Sequence, residues 1–418
     1  MTQPTQKKHY SIVLLVMVIF FAISFITNIL NSIIVDVKES FDLSLTLTGL
    51  LPFSFFIAYG VMSVPAGFLS EKYSDKALLS VSFLIMALAS LLFALFPGYL
   101  VFSLTLFSLG CCMAVLQVII NPMLRVAGGK EHFAFNSVLA QLVFGLASYA
   151  SPFLYKYVVN DTDGGGISEY LRSLVPDNLP WVSLYVVFAL LAVLLLFIVR
   201  ATKYPVYEKE EDEKSGDRKS YSQLLQNKYT WLYFFGIFCY VGTEQGIGNW
   251  ISQFLSEYHG LDPQTVGANT VAYFWALLTI GCLLGLVLLK ILDSRKVLIG
   301  ATLLTMGCLL VAIYGSTKWS LWAFPALGFF ISVMWSIIFS LGLNSVRSHH
   351  GSLSGILCTG IAGGAIMPLI VGFIGDQTQL KFGMLFLIIP LLFILSIGFW
   401  AKPLISNKTL QFKKKEEL

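Results

Sequence analysis

Glu244 sits in the middle of an otherwise uncharged run, Tyr240-Val-Gly-Thr-Glu244-Gln245-Gly-Ile-Gly-Asn249-Trp250. A carboxyl group inside a membrane helix costs at least about 2.5–3.5 kcal/mol, so its retention points to reversible protonation, ion coupling or a substrate contact. The competing reading is an acid satisfied by neighbouring hydroxyls or amides that fixes helix packing. Gly242, Gly246 and Gly248 around it would permit local unwinding or close approach of a ligand. Amides recur in other apolar stretches: Asn28 and Asn31 three apart, Gln117 and Asn121 four apart, then Asn136 and Gln141. Residues at those spacings share a helix face, and an amide both donates and accepts, which suits a polyhydroxylated ligand. Interhelical hydrogen bonding uses the same residues, so each amide alone leaves both readings open, while the set favours a polar cavity. Trp275 and Trp335 lie deeper in their stretches than the other tryptophans and offer faces for a sugar ring or bulk for helix contacts. The candidate substrate-binding set is Asn28, Asn31, Gln117, Asn121, Gln141, Glu244, Gln245, Trp275 and Trp335, with Glu244 also the coupling residue.

Catalytic patterns do not appear. His349-His350 stands without further ligands, and Cys111, Cys112, Cys239, Cys282, Cys308 and Cys358 lie in apolar segments without metal-ligand spacing. Neither a phosphate loop, nor a dinucleotide glycine motif, nor a zinc-protease pattern is present. The expectation is therefore no enzyme, no cofactor and no metal, with a coupling ion, proton or sodium, left open.

The elements that must position these residues follow from composition. The chain is 56% hydrophobic and 12% charged, with a mean hydropathy of +0.78. Soluble domains carry about 25% charged residues, so a soluble enzyme or a nucleic-acid binder is excluded. A bilayer core needs about 20 apolar residues per helix. Twelve stretches supply them: 10–35, 45–70, 77–96, 98–124, 133–157 and 181–200, then 229–256, 265–289, 297–315, 319–346, 351–375 and 382–401. The first is too long for a cleaved leader and reads as a retained span. Gly281 and Gly285 read as a packing pair. The expected fold is an all-α membrane protein of twelve transmembrane helices in two six-helix bundles, residues 1–200 and 229–418, joined by a charged linker, 201–228. With the linker cytoplasmic, 22 of the 27 Lys and Arg residues fall on its side and five on the other, which orients the chain with both termini in the cytoplasm. Two six-span halves around a charged linker suggest a carrier with its site between them near the midplane.

Between the second and third stretches, Gly67-Phe-Leu-Ser-Glu71-Lys72-Tyr-Ser74-Asp75-Lys76 resembles the loop motif of the major facilitator superfamily, with Ser74 in place of a glycine. That motif's acid and bases lock the cytoplasmic helix ends. Within the superfamily the chain resembles the fucose–proton symporter family, which includes glucose/galactose and N-acetylglucosamine carriers. The likeness rests on Gln117-Val-Ile-Ile-Asn121-Pro122, Leu139-Ala-Gln141, Tyr240-Val-Gly-Thr-Glu244 and Gly363-Gly-Ala-Ile-Met-Pro368. The departures are equally specific. Ser32 and Gln117 replace the two acids of the symporter pattern, Cys282 replaces an arginine, and Trp335-Ser336 replaces Phe-Pro. The resemblance implies a transporter of a sugar or similar polyhydroxylated molecule, working by alternating access as a monomer in a bacterial inner membrane. With both symporter acids absent, the expectation of cation coupling falls on Glu244 as the acid inside a span. An uncoupled facilitator of the same fold is the alternative, and a non-transporting receptor a more distant one.

Overall fold

The computed structural model describes residues 9–43, 45–160, 166–202 and 218–409, almost all of them helical. The heart of the expected linker and the basic chain ends used to place both termini lie outside the described residues.

The first half comprises α1 (Tyr10–Ser40), α2 (Leu45–Lys72), α3 (Asp75–Leu95), α4 (Tyr99–Gly128), α5 (Phe133–Tyr155), a short α6 (Ile167–Ser173) and α7 (Ser183–Ala201). The second comprises α8 (Arg218–Gln226), α9 (Lys228–Gly248), α10 (Ile251–His259), α11 (Ala268–Ile291), α12 (Ser294–Tyr314), α13 (Thr317–Ile331), α14 (Met334–Leu343), α15 (His350–Thr359), α16 (Gly363–Gln377), α17 (Leu380–Phe386) and α18 (Ile388–Trp400). Among the described residues, eleven helical segments are long and apolar enough to cross a membrane, and they match eleven of the twelve expected spans. The seventh, α9 with α10, falls short of that apolarity. Thr243, Glu244, Gln245 and several glycines dilute it, and α9 stops at Asn249-Trp250.

Apolar side chains cover the outside as well as the inside. On α3, Val81, Leu84, Leu88, Leu91 and Leu95 are all exposed at helical spacing, which water would not tolerate but hydrocarbon does. Inside, Phe93, Phe102, Trp181 and Tyr185 interlock, with Phe93 and Tyr185 centroids 4.7 Å apart. Trp181 finds a partner for its indole N–H in Ser40 Oγ at 3.0 Å. Ser74 needs no glycine conformation at φ −70°, and its hydroxyl caps α3 by accepting from Ala77 N.

The two halves meet along α2 with α15, α4 with α15, α5 with α11 and α5 with α14. Glycines set these approaches. A Cβ at Gly355 would lie 2.5 Å from Ser63 O, one at Gly145 2.2 Å from Thr279 Oγ1, and one at Gly285 3.4 Å from Val138. Gly281 packs on Phe329 and Ser332, so the Gly281–Gly285 pair serves packing. Polar contacts between the halves gather at the end that carries the linker. Arg125 Nε donates to Asn344 Oδ1 at 2.6 Å, and Asn344 Nδ2 to Lys130 O at 3.4 Å. Glu71 accepts from the Ser352 N–H at 3.1 Å and from the Ser352 hydroxyl, and its second oxygen lies 3.6 Å from His349 Nδ1. The acid of the loop motif thus caps the N-terminus of α15 across the gap between halves. The molecule is closed at the linker end.

Candidate functional site

Glu244 is half-buried in α9, and the Tyr240 hydroxyl, one turn earlier, donates to its Oε1 at 2.7 Å. Tyr240 in turn packs 6.2 Å from Trp335 of α14, whose ring stacks on Phe339 at 5.4 Å. An acid, a phenol and an indole therefore form one chain of contacts. Gln245 rests against α16, where a Cβ at Gly364 would come 3.1 Å from its Cγ. Trp275, half-buried on α11, faces the end of α9 and would meet a Cβ at Gly248 at 3.3 Å.

The glycines around Glu244 do not unwind the helix. α9 stays helical through Gly248, and each glycine admits a neighbour: Met367 against Gly242, Leu387 against Gly246 and Trp275 against Gly248. Close packing, not ligand approach, accounts for them. The break falls just beyond, where Trp250 Nε1 donates to Pro368 O at 3.0 Å.

In the first half, Asn28 Nδ2 donates to Ser24 O at 2.9 Å and to Ser148 Oγ at 2.8 Å, so this amide joins α1 to α5. Asn136 similarly ties α5 to Gly128 O. Both therefore do packing work. The Asn31 and Ser32 side chains lie outside the described residues. On α4, Asn121 Nδ2 donates to Gln117 O at 2.7 Å, while Asn121 Oδ1 and Gln117 Oε1 are buried without a hydrogen-bond partner. A buried acceptor left unmade costs about 1–3 kcal/mol, so these two oxygens call for donors. Gln141 is half-buried on α5. Among the described residues, the hydrogen bonds of Asn28, Asn121 and Glu244 stay within their own half.

Tyr240 was not among the residues singled out from sequence, although its position four before Glu244 on a helix was signal enough. Cys282, in the place of an arginine, turns its thiol to Ser332 O at the break between α13 and α14. Two cavities open at the linker end, about 50 Å³ beside Glu71 and His349 and about 140 Å³ beside Thr230 and Lys402. Among the described residues, no group of three or more His, Cys, Asp or Glu is placed to hold a metal ion, and the six cysteines are unpaired.

The model of the Major Facilitator Superfamily matches residues 16–361. The chain belongs to that superfamily. It is an integral membrane protein of the transporter type, not an enzyme. Over 407 residues it is 30% identical to a glucose/galactose transporter of Brucella abortus (strain 2308), covering 95% of this chain and 96% of that one. It is 26% identical over 392 residues to the L-fucose-proton symporter of Escherichia coli K12, covering 89% and 88%. Among solved structures, a Major Facilitator Superfamily transporter, FucP, in the outward conformation superposes with a TM-score of 0.81 at 23% identity, covering 93% of this chain and 98% of that one. At that identity the superposition speaks for the fold.

Proposed function

We propose that this facilitator-fold protein is a secondary active transporter of a sugar or a related polyhydroxylated molecule, coupled to a cation through Glu244. The observation that carries the reading is the half-buried carboxyl of Glu244, held by Tyr240 within a membrane helix, together with relatives named for sugar transport. Substrate hydroxyls donate to Gln117 Oε1 and Asn121 Oδ1, the buried acceptors lacking partners. Trp275 supplies an aromatic face to the apolar side of the ring. With the linker cytoplasmic, as the 22 to 5 split of basic residues argues, closure at the linker end leaves the site facing outward. Transport then consists of loading substrate and cation, closing the far end, and parting α15 from α2 and α4.

The deciding experiment is uptake in proteoliposomes across a panel of sugars, with imposed proton or sodium gradients. Wild-type protein is expected to concentrate sugar only when a gradient is imposed. Glu244→Gln is expected to abolish accumulation while retaining sugar exchange. Replacement of both acids of the symporter pattern, by Ser32 and Gln117, favours a second reading in which the carrier is an uncoupled facilitator. Equilibration without accumulation by the wild type under every gradient establishes that reading, and accumulation by Glu244→Gln removes Glu244 from coupling.

A further inference from the structure

Beyond α18 the chain does not leave the molecule but runs back along its linker end. Arg295 donates to Ala401 O at 3.4 Å, and Leu404 N donates to Asn344 O at 2.8 Å. Asn407 then spends its whole side chain on the turn between α11 and α12. Its Nδ2 donates to Leu289 O and Leu292 O, both at 3.0 Å, and its Oδ1 accepts from Ser294 N at 2.9 Å. All of these partners belong to the second half. The next residue crosses to the first: Lys408 N donates to Glu131 O at 3.0 Å, and Lys408 Nζ lies 3.7 Å from Glu131 Oε2. Glu131 sits in the short turn joining α4 to α5, and the preceding Lys130 carbonyl is already held by Asn344.

From this arrangement we propose that residues 401–409 form a strap that rides on the second half and hooks the first half only while the linker end is closed. The anchor and the hook are separate residues. Asn407 fixes the strap to helices that move together, so any parting of the halves at this end must break the Lys408–Glu131 contact while leaving the Asn407 bonds intact. The strap also steadies Asn344, whose side chain makes the Arg125 contact across the same gap. It biases the conformational equilibrium without touching substrate, and it stands independently of which solute is carried.

Cys358 provides a native reporter. It is fully buried on α15, one turn past the contact of Gly355 with Ser63 of α2, so separation of α15 from α2 uncovers it. In a background with Cys358 as the sole cysteine, the rate of maleimide labelling from the linker side of membrane vesicles reads the open population. Lys408→Pro removes the crossing N–H and the charge while keeping the Asn407 anchor, and truncation after Ser406 removes both. Loss of one net hydrogen bond and an exposed ion pair predicts labelling about three- to tenfold faster in each, with Lys408→Arg unchanged. Wild-type labelling rates in a folded Lys408→Pro protein overturn the proposal. So does acceleration confined to the truncation, because the anchor and not the crossing would then be responsible. If the truncated protein does not fold, Lys408→Pro alone decides.

Discussion

Tyr240 and Glu244 act as a unit, and their coupling is measurable. Removing a hydrogen bond to a charged acceptor costs about 1.5–3 kcal/mol. Tyr240→Phe is therefore expected to cut coupled uptake by roughly ten- to a hundredfold in a background with Glu244. In Glu244→Gln the same change is expected to do far less, a non-additivity that a double-mutant cycle in proteoliposomes reports. A second residue-scale expectation concerns the α11–α12 turn. Partial burial would raise the Asp293 carboxyl, but Arg295, donating from Nε at 3.0 Å and from its backbone N at 2.8 Å, overcomes this and holds it below its ordinary value of 3.8. A carboxylate with a depressed folded value adds stability above the ordinary value and loses it as pH falls further. Asp293→Asn should thus destabilise the fold at pH 7, by no more than about 1 kcal/mol for so exposed a pair, read as a lower melting temperature, and the difference from wild type should shrink as pH falls below 3.8. Glu244 was legible in the sequence because an acid in an apolar run is conspicuous. The Asn28 contact was not legible, because an amide's partner cannot be read from its own helix: Ser148 lies 120 residues away.

At the scale of elements, span limits followed from hydropathy and charge almost throughout, since the cost of burying charge in hydrocarbon is local in sequence. The exception was α9, where the residues that carry chemistry are the ones that weaken the apolar signal. Helix contacts across the gap were not legible. Glu71 and Ser352 are 281 apart in sequence, and Arg125 and Asn344 are 219 apart, so only the folded arrangement of the two halves pairs them. Glycines sort by these contacts. Gly355→Ala drives a methyl into Ser63 O and should pry α15 from α2, raising Cys358 labelling from the linker side. Gly300→Ala, with nothing within 4 Å of the new carbon on α12, should leave labelling unchanged and add about 0.4–1 kcal/mol of stability. Equal effects of the two would show that helix propensity, not contact, governs the gate.

For the whole molecule, the side on which each loop lies rests on the distribution of basic residues. A cysteine at Asp177, exposed in the loop between α6 and α7, should react with an impermeant maleimide in intact cells. One at exposed Lys402 should react only after the membrane is opened. The reverse pattern would invert the orientation and with it the outward assignment. The two halves also differ in the continuity of their helices. The long spans of the first half are each one continuous helix, whereas the second half is interrupted between α9 and α10, α13 and α14, α15 and α16, and α17 and α18. Interruptions lower the bending stiffness of a rod, so elastic deformation during the transport cycle concentrates in the second half while the first behaves as a rigid reference frame. Amide hydrogen exchange would record that asymmetry as faster exchange at Asn249, Val333 and Ile361 than at mid-helix positions of α1 to α5.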